Sequence, residues 1–140
     1  MGNIREATLE DIPRLLEMGA KFAERAKLND HVGYDPDSMA KTFAAMIEGE
    51  NFCLFIGENG AIGGIVAPHP FNYSRRIADE IFWWSEGREG LKLLEAYEEW
   101  AGDAVTRMTA LEAVEPDRMK RFYECRGYVA LERAYVKVGG

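Results

Sequence analysis

The stretch that most limits what this chain can become lies near its end, Phe122-Tyr123-Glu124-Cys125-Arg126-Gly127-Tyr128. Pro116 to Cys125 reads as a helix, opened by a proline where the missing N–H costs nothing. Gly127 follows as the residue that can take the left-handed conformation on which helices commonly end. Alternating apolar residues come next and predict strands over Tyr128 to Leu131 and Ala134 to Val138. The chain must therefore pass directly from a helix, with Tyr123 in its last turn, into a sheet.

The rest of the chain can be read against that ending. Asn3 to Ala7 is expected to be a short strand. Thr8 and Asp11 have capping-box spacing, and Pro13 stands near the start of a helix. Ile12, Leu15, Leu16, Gly19, Phe22 and Ala23 then recur at the spacing of one buried helical face. Lys27 to Asp35 is polar loop. Asp35-Pro36 opens a second helix, with Met39, Phe43, Met46 and Ile47 on one side and Gly49 as its stop. Phe52 to Gly57 and Ile62 to Ala67 are strands joined through Asn59-Gly60, a pair that accepts positive φ and so predicts a hairpin. Pro68 to Asn72 interrupts the pattern, and Ser74 to Glu80 carries a weaker strand signal. Ile81-Phe82-Trp83-Trp84 is apolar on both faces, so it belongs in the middle of a sheet covered on both sides. The two tryptophans point to opposite faces.

Ser85 to Gly90 is a polar turn. Leu91 to Ala104 is a helix with Leu93, Leu94, Tyr97, Trp100 and Ala101 inward, and Met108 to Val114 is a strand. A strand, helix and strand within about 35 residues make a crossover unit, so its two strands should be parallel. The expected order is β-α-α-β-β-β-α-β-α-β-β. That is an α/β (α+β) fold with a mixed sheet of about six or seven strands and about four helices, in one domain over residues 1–140.

Bulk properties exclude several classes of function. With 47% hydrophobic and 29% charged residues the chain has the composition of an ordinary globular domain. It has no apolar run of the roughly 18 residues a membrane helix needs. Its first residues lack the apolar core of a secretory leader, so a cytoplasmic location is expected. A net charge of −7 disfavours nucleic acid as a partner. The basic cluster Arg118, Lys120, Arg121 and Arg126 is too small for DNA but can help hold one anionic ligand. Cys53 and Cys125 cannot form a disulfide framework, and no His, Cys, Asp and Glu cluster has metal-ligand spacing.

The element order and the Phe122-Tyr123 and Gly127-Tyr128 pairs resemble the F-Y-x-x-x-G-F/Y signature of the GNAT superfamily of N-acetyltransferases. The resemblance implies acetyl-CoA as co-substrate and no metal. It places the acyl donor in a gap where the fourth strand splays from the fifth. Backbone groups of Phe82, Trp83 and Trp84 would hold the pantetheine arm. Gly87, Arg88, Glu89, Gly90, Leu91 and Lys92 would cradle the pyrophosphate at a helix N-terminus, where free amides and the helix dipole favour an anion. This loop departs from the family's usual Gln/Arg-x-x-Gly-x-Gly/Ala pattern, of which only Gly90 is retained. Pro116 stands where many relatives carry an asparagine.

By the same resemblance Tyr123 protonates the departing thiolate, and Glu80 takes a proton from the acceptor amine, with Glu112 as the alternative. Backbone N–H near Trp84 would stabilise the tetrahedral intermediate. His31 and His69, both in loops, are weaker candidates for the base. The implied activity is direct acetyl transfer to a primary amine, on a small molecule or peptide, by a chain that can be a homodimer. A non-catalytic acyl-CoA-binding or protein-interaction domain is the alternative.

Overall fold

The computed structural model describes residues 3–139. Residues 1, 2 and 140, which the expected domain includes, lie outside the described residues. In chain order the elements are β1 (Arg5–Glu6), a 3-10 turn (Leu9–Asp11), α1 (Ile12–Arg25), a second 3-10 turn (Leu28–Asp30), α2 (Pro36–Glu48), β2 (Phe52–Ile56) and β3 (Gly60–His69). They continue with β4 (Asn72–Ser85), α3 (Gly90–Ala101), β5 (Val105–Arg107) and α4 (Pro116–Cys125). The strands form one sheet in the order β1-β2-β3-β4-β5. The first three pairings are antiparallel, whereas β4 and β5 run parallel on either side of the α3 crossover.

Helices cover both faces of the sheet. Leu15 and Met18 of α1 and Phe43 and Met46 of α2 pack on Leu54, Ile56, Phe82 and Trp84. On the opposite face Leu93, Leu94, Tyr97 and Ala101 of α3 pack on Cys53, Ile62, Val66 and Ala78. The two-sided apolar pattern of β4 follows from this sandwiching. Close approach of α3 depends on Gly64, where a Cβ would lie 2.5 Å from Cε1 of Tyr97 and 2.7 Å from the carbonyl oxygen of Asp79.

One irregularity in β4 decides which side chains share a face. The β3–β4 register passes from Gly63↔Phe82 to Gly64↔Glu80, so Ile81 has no partner. Such a bulge reverses the in-and-out alternation of the residues beyond it. Before it Ala78 packs toward α3, and after it Trp83 does, while Phe82 and Trp84 turn to α1 and α2. Trp83 and Trp84 thus face opposite ways, as the sequence predicts.

The expected order of elements is observed as far as α4, but the sheet has five strands rather than six or seven. The strand expected over Met108 to Val114 lies earlier, at Val105–Arg107. Two residues on, ladder pairing is replaced by side-chain bonds: Thr109 gives its N–H to Glu80 and its carbonyl accepts from Tyr123. The strands expected over Tyr128 to Leu131 and Ala134 to Val138 are not formed. Residues 129–139 make no backbone–backbone hydrogen bond among the described residues. That segment is held by side chains, Arg107 to Glu132 at 2.6 Å and Arg133 to Glu112 at 2.8 Å. A three-residue β5 offers too little edge for a ladder, so the alternating apolar pattern there stays exposed.

Two smaller expectations also change. The weak signal at Ser74 to Glu80 and the apolar run after it are one strand, and Pro70 and Phe71 make the turn before it. The β2–β3 hairpin forms, but neither Asn59 nor Gly60 has positive φ. Gly60 is needed for space, since a Cβ there would meet the Trp84 carbonyl oxygen at 2.5 Å.

At its C-terminus α4 closes as the sequence predicts, with Gly127 at φ +91. It is then clamped to α3: Arg126 donates to Glu98 at 2.6 Å and the Tyr128 hydroxyl donates to the other Glu98 oxygen at 2.7 Å. Two variants test these fold-setting contacts. Gly64→Val should destabilise the protein by about 1–3 kcal/mol through overpacking against Tyr97. Glu98→Gln, which weakens a two-partner charged clamp, should cost about 1–2 kcal/mol. Glu99→Gln, on the exposed face of α3, should cost less than about 0.5 kcal/mol. Urea denaturation of the three variants measures all of these, and equal midpoints for Glu98→Gln and Glu99→Gln would contradict the clamp.

Candidate active site

The site is built around the outer edge of β4. Parallel pairing with β5 covers only Ile77–Asp79 against Val105–Arg107. From Glu80 to Ser85 that edge has no strand beside it, and α4 lies across the opening. Between them is a cavity of about 250 Å³ lined by Trp83, Gly90, Leu91, Val114, Glu115, Arg118, Met119 and Phe122. Trp83 stacks near both aromatic residues of the α4 signature, with ring centroids 6.3 Å from Phe122 and 6.4 Å from Tyr123. Its indole Nε1 is buried and has no hydrogen-bond partner. The same holds for Nε1 of Trp84 on the opposite face of the sheet.

The open end of α3 supplies the polar part of the cavity. Gly90 and Leu91, the first residues of that helix, line it directly. Their amides belong to the first turn, which carries the positive end of the helix dipole. Arg118 adds a cation from α4, paired at 3.5 Å with Glu115, which lines the same cavity. Arg88 and Lys92 are exposed around the same helix start. Apolar walls and a helix N-terminus suit a ligand with a thin apolar arm and an anionic end.

Not every residue expected to bind cofactor faces this space. Phe82 is buried on the other side of the sheet, 5.0 Å from the Phe22 ring and 6.1 Å from that of Phe43. Trp84 also faces that way, with the Arg25 guanidinium 5.6 Å from its ring centroid. Both can offer only main-chain atoms to the gap. Glu89 is turned to the β2–β3 hairpin, where its carboxylate accepts from the backbone N–H of Asn59. That contact ties the N-cap residue of α3 to the hairpin. Gly87 is exposed beside Asn59. Of the basic cluster, Arg126 is engaged by Glu98, leaving Arg118 as the member that reaches the cavity.

The two expected catalytic residues are joined through a third that the sequence reading did not identify. Thr109 donates its hydroxyl to Glu80 Oε1 at 2.8 Å and its N–H to the same oxygen at 3.2 Å. The Tyr123 hydroxyl donates to the Thr109 carbonyl oxygen at 2.9 Å. Only the β4 bulge turns Glu80 to this face; without it Glu80 would share a side with Phe82 and Trp84. Desolvation pushes the Glu80 carboxyl above the usual carboxylate range, with a smaller push from Asp79 and a counter-pull from the Thr109 donors. Burial, and then the charges of Glu80 and Tyr128, raise the Tyr123 phenol above its ordinary value, so it stays protonated.

The other candidates are occupied elsewhere. Glu112 is paired with Arg133 at 2.8 Å on the surface. His69 Nδ1 accepts from the Phe71 N–H at 3.0 Å, which serves the β3–β4 turn at the far end of the hairpin. His31 lies in the turn after α1, outside the cavity lining. Burial pushes the Cys53 thiol up to about 12, and Cys125 is exposed. Among the described residues no group of His, Cys, Asp and Glu could hold a metal, and no helix is long and apolar enough to cross a membrane. Arg118 belongs to the basic cluster read from the sequence, whereas Val114 and Met119 carry no motif that would single them out.

No family model and no curated protein matches the chain. Solved structures match it along nearly its whole length. A GCN5-related N-acetyltransferase from Ralstonia eutropha superposes with a TM-score of 0.69 at 15% identity, covering 100% of both chains. A predicted acetyltransferase with acetyl-CoA from Clostridium acetobutylicum gives 0.69 at 14% identity, covering 99% of this chain and 96% of that one. A transcriptional regulator from Bacillus halodurans gives 0.71 at 21% identity, covering 98% and 99%. Identities this low establish architecture and leave activity to the site itself. With its splayed fourth strand, α3 crossover and Tyr123-bearing last helix, the chain has the GNAT fold.

Proposed function

We propose that this chain is an acetyl-CoA-dependent N-acetyltransferase that transfers the acetyl group directly to a primary amine. The observation that carries the reading is the convergence of Glu80 and Tyr123 on Thr109, beside the free edge of β4 and the cavity under α3 and α4. The cavity fits the donor: Leu91, Val114, Met119 and Phe122 suit a pantetheine arm, and the α3 N-terminus with Arg118 suits the pyrophosphate.

Bond changes balance as follows. An ammonium cannot attack, so the acceptor first gives a proton to Glu80, directly or through water. The amine nitrogen then forms a bond to the thioester carbonyl carbon, and the carbon–sulfur bond breaks with its electron pair leaving on sulfur. The amide nitrogen loses its second proton to solvent. Tyr123 leaves the Thr109 carbonyl and donates to the sulfur. A thiol has a pKa near 8.5, below that of this phenol, so Tyr123 contributes chiefly a hydrogen bond to the developing thiolate. Glu80, with its raised pKa, is in its ionised form a stronger base than a surface carboxylate.

The Bacillus halodurans regulator, which shares the fold, favours one second reading. In that reading the domain binds an acyl-CoA or a protein without turnover. Glu86 and Glu89, both held in the loop before α3, are consistent with a weakened pyrophosphate site.

Turnover with a panel of primary amines separates the two. Tyr123→Phe should lower kcat roughly 10²-fold while leaving the Kd for acetyl-CoA nearly unchanged. A general base must be ionised, so activity falls as pH drops through its folded pKa. The acid limb of kcat/KM should therefore lie above the ordinary Glu value of about 4.3 and vanish in Glu80→Gln. Full activity in both variants would remove the two residues from the chemistry. Binding without turnover across the panel would favour the second reading.

A further inference from the structure

We propose that Thr109 is a positioning residue that holds Glu80 and Tyr123 in one frame through three bonds of its own. The proposal rests on the reading of Glu80 and Tyr123 as the acid–base pair. It adds a residue that carries no motif and lies two positions beyond the end of β5.

Both Thr109 donors converge on Glu80 Oε1, the hydroxyl at 2.8 Å and the amide at 3.2 Å. Oε2 has no hydrogen-bond partner among the described residues and is the oxygen left to receive a proton. Because the third bond uses the carbonyl of the same residue, a shift of Thr109 displaces Tyr123 as well as Glu80. Thr109, Glu80 and Tyr123 are not among the residues that line the cavity, and Trp83, 6.4 Å from the Tyr123 ring, stands between the two.

The charged surroundings of Glu80 come from every element packed near it. Asp79 precedes it on β4 and is 3.7 Å from Arg107 of β5. Tyr97 of α3, Tyr123 of α4 and Tyr128 beyond α4 are all held protonated by burial. Desolvation and Asp79 favour the neutral carboxyl, while the Thr109 donors favour the ionised one. Removing the hydroxyl must then raise the Glu80 pKa, because a donor to a carboxylate stabilises its charged form.

The test is the Glu80 pKa read by carbon-13 NMR of side-chain-labelled, full-length protein, a readout that needs no turnover. Thr109→Val should raise it by about one unit, the scale of one charged hydrogen bond, and Thr109→Ser should restore it. The acid limb of kcat/KM should move by the same amount. If the valine variant does not fold, Thr109→Ala removes the hydroxyl without added bulk. An unchanged Glu80 pKa in a folded Val or Ala variant would overturn the proposal. Failure of the acetyltransferase reading shows itself separately, as absent turnover in the unmodified protein.

Discussion

The candidate site in this molecule depends on the early separation of β4 from β5. Three residues of parallel pairing, Ile77–Asp79 with Val105–Arg107, are followed by a strand edge that no neighbouring strand completes. An unpaired edge buried under helices would leave amides and carbonyls without partners, a cost that protein structures avoid. Here the opening is used: one side has the N-terminus of α3, the other has α4, and a cavity lies between. The bulge at Ile81 adds a second effect from the same strand. It turns Glu80 to the side of Trp83 and Tyr123, away from the aliphatic core under α1 and α2.

Local chemistry explains why the opening persists. Glu98 holds the end of α4 through Arg126 and Tyr128, which fixes one wall of the cavity to α3. Beyond β5, Thr109 gives its peptide N–H to Glu80 and its carbonyl accepts from Tyr123. The polar loop before α3 is likewise committed: Glu86 pairs with Lys21 at 2.8 Å, and Glu89 caps the β2–β3 hairpin. Both carboxylates thus stay in the loop before α3, and Arg118 of the cavity lining pairs with Glu115 at 3.5 Å.

Most of the architecture was legible because its signals are strong and local. The buried faces of α1 and α2, the two-sided apolar run in β4, the crossover helix and the Gly127 stop each follow from periodicity or from a single residue's φ requirement. What could not be read depends on tertiary competition. Alternation in Tyr128 to Val138 suits a strand, yet a ladder also needs a partner edge, and β5 is only three residues long. The bulge at Ile81 leaves no mark in composition, so the shared face of Glu80 and Trp83 was invisible. Glu89, expected at the cofactor, is held by the hairpin, and Phe82, expected to offer its backbone, packs its ring in the core. Thr109 has no motif at all; its importance lies in three bonds to residues far away in sequence.

A shared fold among an N-acetyltransferase, an acetyl-CoA complex and a regulator means that the decisive question concerns the gap beside β4. Isothermal titration of the folded protein with acetyl-CoA asks it most directly. Micromolar binding that weakens sharply when acetyl-pantetheine replaces acetyl-CoA would place the arm in the cavity and the anion at the α3 N-terminus. Absence of binding by protein that unfolds cooperatively would contradict the assignment of this gap to an acyl-CoA.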